Sequence, residues 1–433
     1  MNRLSLCSAA LLTAAGMAVA HGALRESSDR QARPQTVDEM AGPVEVLQKK
    51  LAQGKAKLEF EPAHGYLASL LKLLQVPVSS QTLVFSKTSF QRPLISPQTP
   101  RALYFNDDVY LGWVPKGDVI EVSEASPRQG AVFYALSQLE HTPPTFARRA
   151  ECMQCHDGLK TMGGPGHLMG STLTALDGQP LFQVERYLGG HRSPLSVRWG
   201  GWYVTGTHAG DVHLGNAFLA DKTHPEEMDL AAGANLTDLR ARIDTSPYLS
   251  PHSDIVALLV LEHQVRMHNL IARANREVRE VIGEQAAART GTNRTAGLVA
   301  ESTRQCIGRV SEALLEYMLF RDEAALNGPV KGTSTFAQEF QQRGPFDSKG
   351  RSLRQLDLNQ RLLRFPCSYL IYSEAFDSLP QEARSYLWKR LRDILSGQDQ
   401  SATYAGMKRA DRESVLAILV ETKPEFAAWI KEH

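Results

Sequence analysis

Two thiols and an imidazole fall within five consecutive residues, Cys152-Met153-Gln154-Cys155-His156, in a chain of 433 residues. At this content of Cys and His, C-x-x-C-H arises by chance in roughly two chains in a thousand. The spacing constrains the fold locally. Residues three apart lie on one side of a helical turn, so the two sulfurs face the same way. Each can there add across a vinyl group of a haem, while His156 offers an imidazole nitrogen to the iron. Three other uses of a close Cys pair compete. A zinc site needs further Cys or His at ligand spacing, and no second C-x-x-C exists. A thioredoxin-like pair lacks its βαβ setting and has no need of the His. A plain disulfide is the third.

The N-terminus bears on whether such chemistry is possible. Asn2 and Arg3, the apolar stretch Leu4 to Met17, and the small residues Ala18-Val19-Ala20 read as a secretory signal peptide over residues 1–20. Export, to the periplasm, suits covalent haem attachment and places the remaining cysteines in an oxidising compartment. The chain has 48 basic and 47 acidic side chains; the leader carries only Arg3, so its removal leaves 47 of each. A neutral surface lacks the counterion-release contribution that nucleic-acid binding draws on, so DNA and RNA are disfavoured as partners. No later apolar run is long enough to span a bilayer.

Periodicity divides the rest. Residues 21–56 read as a polar linker and helix, and 57–140 as an α/β region. Val44, Leu47, Leu51, Leu67, Leu70, Leu71 and Leu74 recur at helical spacing over about 37–75. Short β-prone runs follow, among them Leu103-Tyr104-Phe105, Val109 to Val114, Val119 to Val122 and Ala131 to Tyr134. Asn106-Asp107-Asp108 and Lys116-Gly117-Asp118 separate some of them as hairpin turns. Residues 141–220 are irregular and rich in Gly and His, with strands expected at Leu181–Val184 and Trp202–Thr205. Residues 250–433 read as helical. Ser253 or Asp254 caps a long helix to about Ile282, and further helices are expected near 299–326, 355–364, 380–396 and 411–420. The expected class is α+β.

Over residues 140–220 the chain resembles the c-type cytochromes, through the C-x-x-C-H residues and their surroundings. Tyr104 to Trp113 and Trp199 to His208 are also similar to stretches in exported bacterial proteins with a single haem-binding site, a group that implies no activity. The resemblance implies thioether links at Cys152 and Cys155 to one haem c, with His156 as an axial ligand. Compact class I cytochromes place a sixth ligand, a Met, some tens of residues after the motif in a small helical domain. Here the motif sits mid-chain.

Nearby candidates for that sixth position are His167 and Met169, on the Gly-rich loop Thr161 to Met169, where glycines permit close approach to a haem face. Met162 lies on the same loop, and His191, His208 and His213 are more remote options. His263 and His268 share apolar stripes of the long helix and read as core residues. His268-Asn269 with the later Arg321-Asp322 is similar to the haem-side helix of animal-type haem peroxidases, without a counterpart of their distal His–Arg pair. Arg148-Arg149 could pair with propionates. The Trp199-Gly200-Gly201-Trp202 and Trp113 cluster could wall a haem edge or form packed core. Cys306 and Cys367 could form a disulfide or stay buried thiols. The expected function is one-electron transfer with an unidentified redox partner. The competing expectation is a peroxidase- or oxidase-like haem enzyme with an open sixth position, and a redox or gas sensor is the third.

Overall fold

Alternating side chains between residues 82 and 148 produce an antiparallel meander, β1 (Thr82–Val84), β2 (Arg101–Phe105), β3 (Val109–Trp113), β4 (Val119–Ser126), β5 (Gly130–Ser137) and β6 (Phe146–Arg148). The computed structural model describes residues 42–140, 144–183, 186–210, 212–289 and 296–433; the leader expected at 1–20 lies outside them. One face of the meander, bearing Tyr104, Leu111, Trp113, Ile120, Val122 and Leu136, buries α1 (Pro43–Ala52) and α2 (Leu67–Leu73). The expected helical stretch of 37–75 is thus split. Gly54 turns the chain at φ +67°, a conformation that costs glycine nothing.

The irregular middle contributes only short ladders. β7 (Asp157–Gly158) pairs with β8 (Gly164–Pro165), and β9 (Gly170–Thr172) with β10 (Arg186–Leu188). β11 (Trp202–Tyr203) joins the edge of the large sheet beside β1, completing seven strands in the order β11-β1-β2-β3-β4-β5-β6. The strand expected at Leu181–Val184 is not there: 182–183 form a turn, Val184 lies outside the described residues, and the pairing strand is β10.

The second face of the sheet packs on α4 (Ile255–Arg289), whose residues from Ile255 to Val265 are all buried. Of the two expected caps, Ser253 and Asp254, it is Asp254 that caps it. Its carboxylate accepts the N–H groups of Val256 (2.7 Å) and Ala257 (3.3 Å), and also those of Thr333 (2.9 Å) and Ser334 (2.7 Å). The cap therefore also fixes the segment around β12 (Gly206–Thr207) and β13 (Lys331–Gly332), which pair with each other. α5 (Ala296–Met318) lies along α4, followed by α6 (Phe336–Gln342), α7 (Glu374–Asp377), α8 (Gln381–Leu395), α9 (Arg409–Thr422) and α10 (Pro424–Glu432). The fold is α+β, and no described helix is long and apolar enough to cross a membrane.

Two helical expectations are corrected. The helix expected over 299–326 stops at Met318, because Phe320 and Asp322 take left-handed conformations at φ 55° and 59°. No helix forms over 355–364. Asp357 accepts the N–H groups of Asn359 and Gln360, both at 2.8 Å, Leu358 turns at φ 59°, and Leu356 bridges to Leu363. That local side-chain bonding offers the backbone an alternative to the helix. α6, α7 and α10 were not anticipated.

Buried polar groups tie α4 to its neighbours. Arg198 and Glu262 form an ion pair at 3.2 Å, with side chains 4% and 1% exposed. Removing either partner strands a buried charge, at a cost of about 3–5 kcal/mol. One residue on, His263 Nδ1 lies 2.9 Å from His191 Nδ1, and its Nε2 lies 2.8 Å from Ser368 Oγ. The two rings stack with Tyr317 and Phe320. Burial, with His268 nearby, holds His263 down at about 3, and burial with His263 and three arginines holds His191 well below the usual range.

Both imidazoles are therefore neutral when folded, whereas the unfolded chain protonates them near the ordinary histidine value of about 6.5. The unfolded state binds more protons below that pH, so stability falls with acidification until the folded values are reached. Between pH 7 and 5 the wild type should lose about 2 kcal/mol more unfolding free energy than His263→Gln. Urea titrations of both proteins across that range measure it, and parallel losses would contradict a buried neutral imidazole at residue 263.

Candidate functional site

The C-x-x-C-H residues occupy two short turns. A 3-10 turn, Ala150–Cys152, runs directly into α3 (Met153–His156). Cys155 is exposed, Cys152 is half-buried, and both are free thiols. Burial, reinforced by the carboxylates of Glu121 and Glu151, holds the Cys152 thiol above its usual range. The His156 ring lies 4.5 Å from the Phe133 ring on β5. Its Nδ1 is 2.9 Å from the carbonyl oxygen of Gly166. A carbonyl only accepts, so Nδ1 carries the proton and Nε2 keeps its lone pair. Nε2 has no hydrogen-bond partner among the described residues and is not sealed as the Nε2 atoms of His191 and His268 are.

These features fit a haem. Two reachable sulfurs precede an imidazole whose outer nitrogen donates to a backbone carbonyl, the arrangement that normally orients a ligating histidine. Burial also lowers the proton affinity of His156, and a metal ligand must be neutral. Apolar surface lies alongside. Leu159 is 97% exposed three residues after His156, and Phe90 is 56% exposed with the Arg149 guanidinium 4.9 Å over its ring.

The loop that returns to His156 is held from α4. The β7–β8 ladder brings Gly166 back, and its N–H donates to the His156 carbonyl at 2.9 Å. Arg276 Nη2 donates to the Met162 carbonyl at 2.8 Å, where the chain reverses through left-handed Met162 and Gly163. Asn269 Oδ1 accepts the His167 N–H at 2.9 Å, and its Nδ2 donates to the His167 carbonyl at 2.8 Å. A Cβ on Gly166 would sit 2.5 Å from Asn269 Oδ1, so this close approach demands glycine. The sequence offered Gly166 only as part of a Gly-rich loop and Asn269 only beside His268, and it did not indicate that Asn269 holds this loop. The glycine run pointed to a tight loop, but its partner lies about a hundred residues away and carries no local signal.

The candidates for the sixth position are all engaged elsewhere. His167 is buried; its Nε2 is 3.1 Å from Ser123 Oγ, and its ring lies against Tyr110 (4.3 Å) and Phe133 (5.7 Å). Phe133 thus touches both His156 and His167. Met169 is 4% exposed, in the core with Trp199 and Trp202. Met162 packs against that core, His191 pairs with His263, and His213 lies edge-on between Trp199 and His208. His268 Nδ1 lies 2.8 Å from the Tyr110 hydroxyl, beside a cavity of about 10 Å³ lined in part by His167, His268 and Asn269.

Of the remaining features, Arg148 is bonded to Glu45 at 2.5 Å, whereas Arg149 lies beside the motif. Trp113 packs on the opposite face of the sheet from Trp199 and Trp202, so they form two cores rather than one aromatic wall. Cys306 and Cys367 are free thiols, and burial pushes Cys367 far above its usual range. Among the described residues no group of three or more Cys, His, Asp and Glu converges in a way that could hold a metal ion. In haem-free native protein, iodoacetamide should label Cys155 first, Cys152 more slowly and Cys367 only after unfolding, as peptide mass mapping would record. Labelling of Cys367 at the rate of Cys155 would contradict this packing.

Compared with known protein families, characterised proteins and solved structures, the chain matches none.

Proposed function

We propose that the chain is an exported, periplasmic protein that binds one haem c through Cys152 and Cys155, with His156 as an axial ligand, and transfers single electrons. The observation that carries this reading is the hydrogen bond from His156 Nδ1 to the Gly166 carbonyl, which leaves Nε2 unprotonated at the end of the C-x-x-C turn. When bound, the haem supplies a one-electron iron couple. The polypeptide contributes position. The two sulfurs fix the group to one turn, Gly166 fixes the tautomer and rotation of His156, and Phe133 backs its ring. The exposure of Cys155 and Leu159 favours a haem edge open to a redox partner.

A second reading rests on a separate observation. His167 is bonded to Ser123 and Met169 is packed in the core, which favours a sixth position open to an exogenous ligand. A haem enzyme of peroxidase- or oxidase-like type would need that opening.

Export expression with cytochrome c maturation machinery, followed by a pyridine haemochrome assay, tests the proposal. The wild type should carry one covalent haem. Cys152→Ser with Cys155→Ser should carry none, and His156→Ala should lose its native spectrum. Purified exported wild type without covalent haem would overturn the reading. Addition of cyanide to the ferric protein then separates the two functions: an unchanged low-spin spectrum supports electron transfer, and a shifted high-spin spectrum supports the enzyme.

A further inference from the structure

We infer that Asn269 of α4 is a positioning residue that sets the tautomer, orientation and ligand strength of His156 through the single peptide bond joining Gly166 to His167. The inference deepens the proposed haem site and rests on that reading only where it concerns bound haem. The geometry is specific. The C=O of this peptide accepts the His156 Nδ1 proton at 2.9 Å, and the N–H of the same peptide donates to Asn269 Oδ1 at 2.9 Å. The unit is planar and conjugated, so fixing its N–H fixes the direction of its C=O. Hydrogen bonds in series also polarise one another, so the bond to Asn269 makes the Gly166 carbonyl a stronger acceptor for His156.

The β7–β8 ladder and the Gly166 N–H bond to the His156 carbonyl return the chain to His156. The Gly166–His167 peptide lies beyond the last ladder pair, and its N–H is held from α4. Asn269 Nδ2 clamps the next carbonyl, that of His167, and Arg276, two helical turns further along α4, clamps Met162. Asn269 is 5% exposed, so its amide meets little competition from water. A buried asparagine that only satisfied backbone groups would stabilise the loop and leave His156 unaffected. A positioning asparagine reaches further. A firm Nδ1–H···O bond makes the imidazole a more basic ligand and favours ferric over ferrous iron.

The test uses the full-length protein in two forms. In haem-free protein, ring 15N shifts of His156 should report the Nδ1–H tautomer in the wild type. They should report a mixture in Asn269→Leu and a return towards the wild type in Asn269→Asp, which keeps the acceptor for the His167 N–H. In protein carrying covalent haem, Asn269→Leu should raise the ferrous-to-ferric ratio at fixed ambient potential about tenfold, or 59 mV for a one-electron couple. If Asn269→Leu does not fold, Asn269→Ala, which leaves room for a water in place of the lost amide, carries the same comparison. Tautomer and potential both unchanged in a folded variant would overturn the inference while leaving the haem assignment standing. A wild type that takes up no haem would overturn the assignment, and the 15N shifts would still decide the role of Asn269.

Discussion

Between Glu262 and Asn275, helix α4 shuts six polar side chains away from water, and each of them must find a partner or cost about 1–3 kcal/mol. Those partners come from segments far apart in sequence. Glu262 takes Arg198, His263 takes His191 and Ser368, and Gln264 bonds Asn106, Tyr110 and Tyr369. Asn269 takes His167, and Asn275 donates to the Pro127 carbonyl. A helix whose buried surface were apolar all round could slide or rotate against its neighbours at modest cost. This set of pairings permits one register, and Asp254 fixes its start by capping α4 and binding the backbone at Thr333 and Ser334 with one carboxylate.

That arrangement explains how an irregular segment of Gly-rich chain holds a defined site. The C-x-x-C-H turn lies against the sheet through Phe133, and the loop behind it is held by α4. Phe133 from β5 backs His156, Ser123 from β4 binds His167, and Asn269 and Arg276 from α4 hold the connecting backbone. Side chains from two strands and one helix thus converge on the loop that places the Gly166 carbonyl behind the His156 imidazole.

What the sequence disclosed follows the range of the interactions involved. The meander was legible because alternation and turn chemistry are local. Asn106, expected at a hairpin, accepts the N–H groups of Asp108 and Val109 at 3.0 and 2.8 Å. Asp254 was legible as a cap for the same reason. The helix expected over 355–364 failed because the Asp357 and Asn359 side chains bond the backbone into a turn. The polar contacts that build the site were invisible, since the Asn269 amide and the His167 peptide are separated by 102 residues. C-x-x-C-H was visible as a motif; the contacts that hold its histidine were not.

The same peptide bond constrains where a ligand opposite His156 can originate. Gly166 approaches the imidazole on its Nδ1 side, away from Nε2, and His167 is joined directly to that carbonyl. To reach the far face of a haem, the His167 ring would have to leave Ser123 and Tyr110 and break both bonds to Asn269, removing the support of His156 itself. Met169 would have to quit a core position, and burial of such a side chain is worth about 1.5–3 kcal/mol. On the proposed haem reading, residues that hold His156 are poorly placed to supply a second axial ligand. The sequence proximity that made His167 and Met169 attractive arises because the loop holding His156 must pass close behind it.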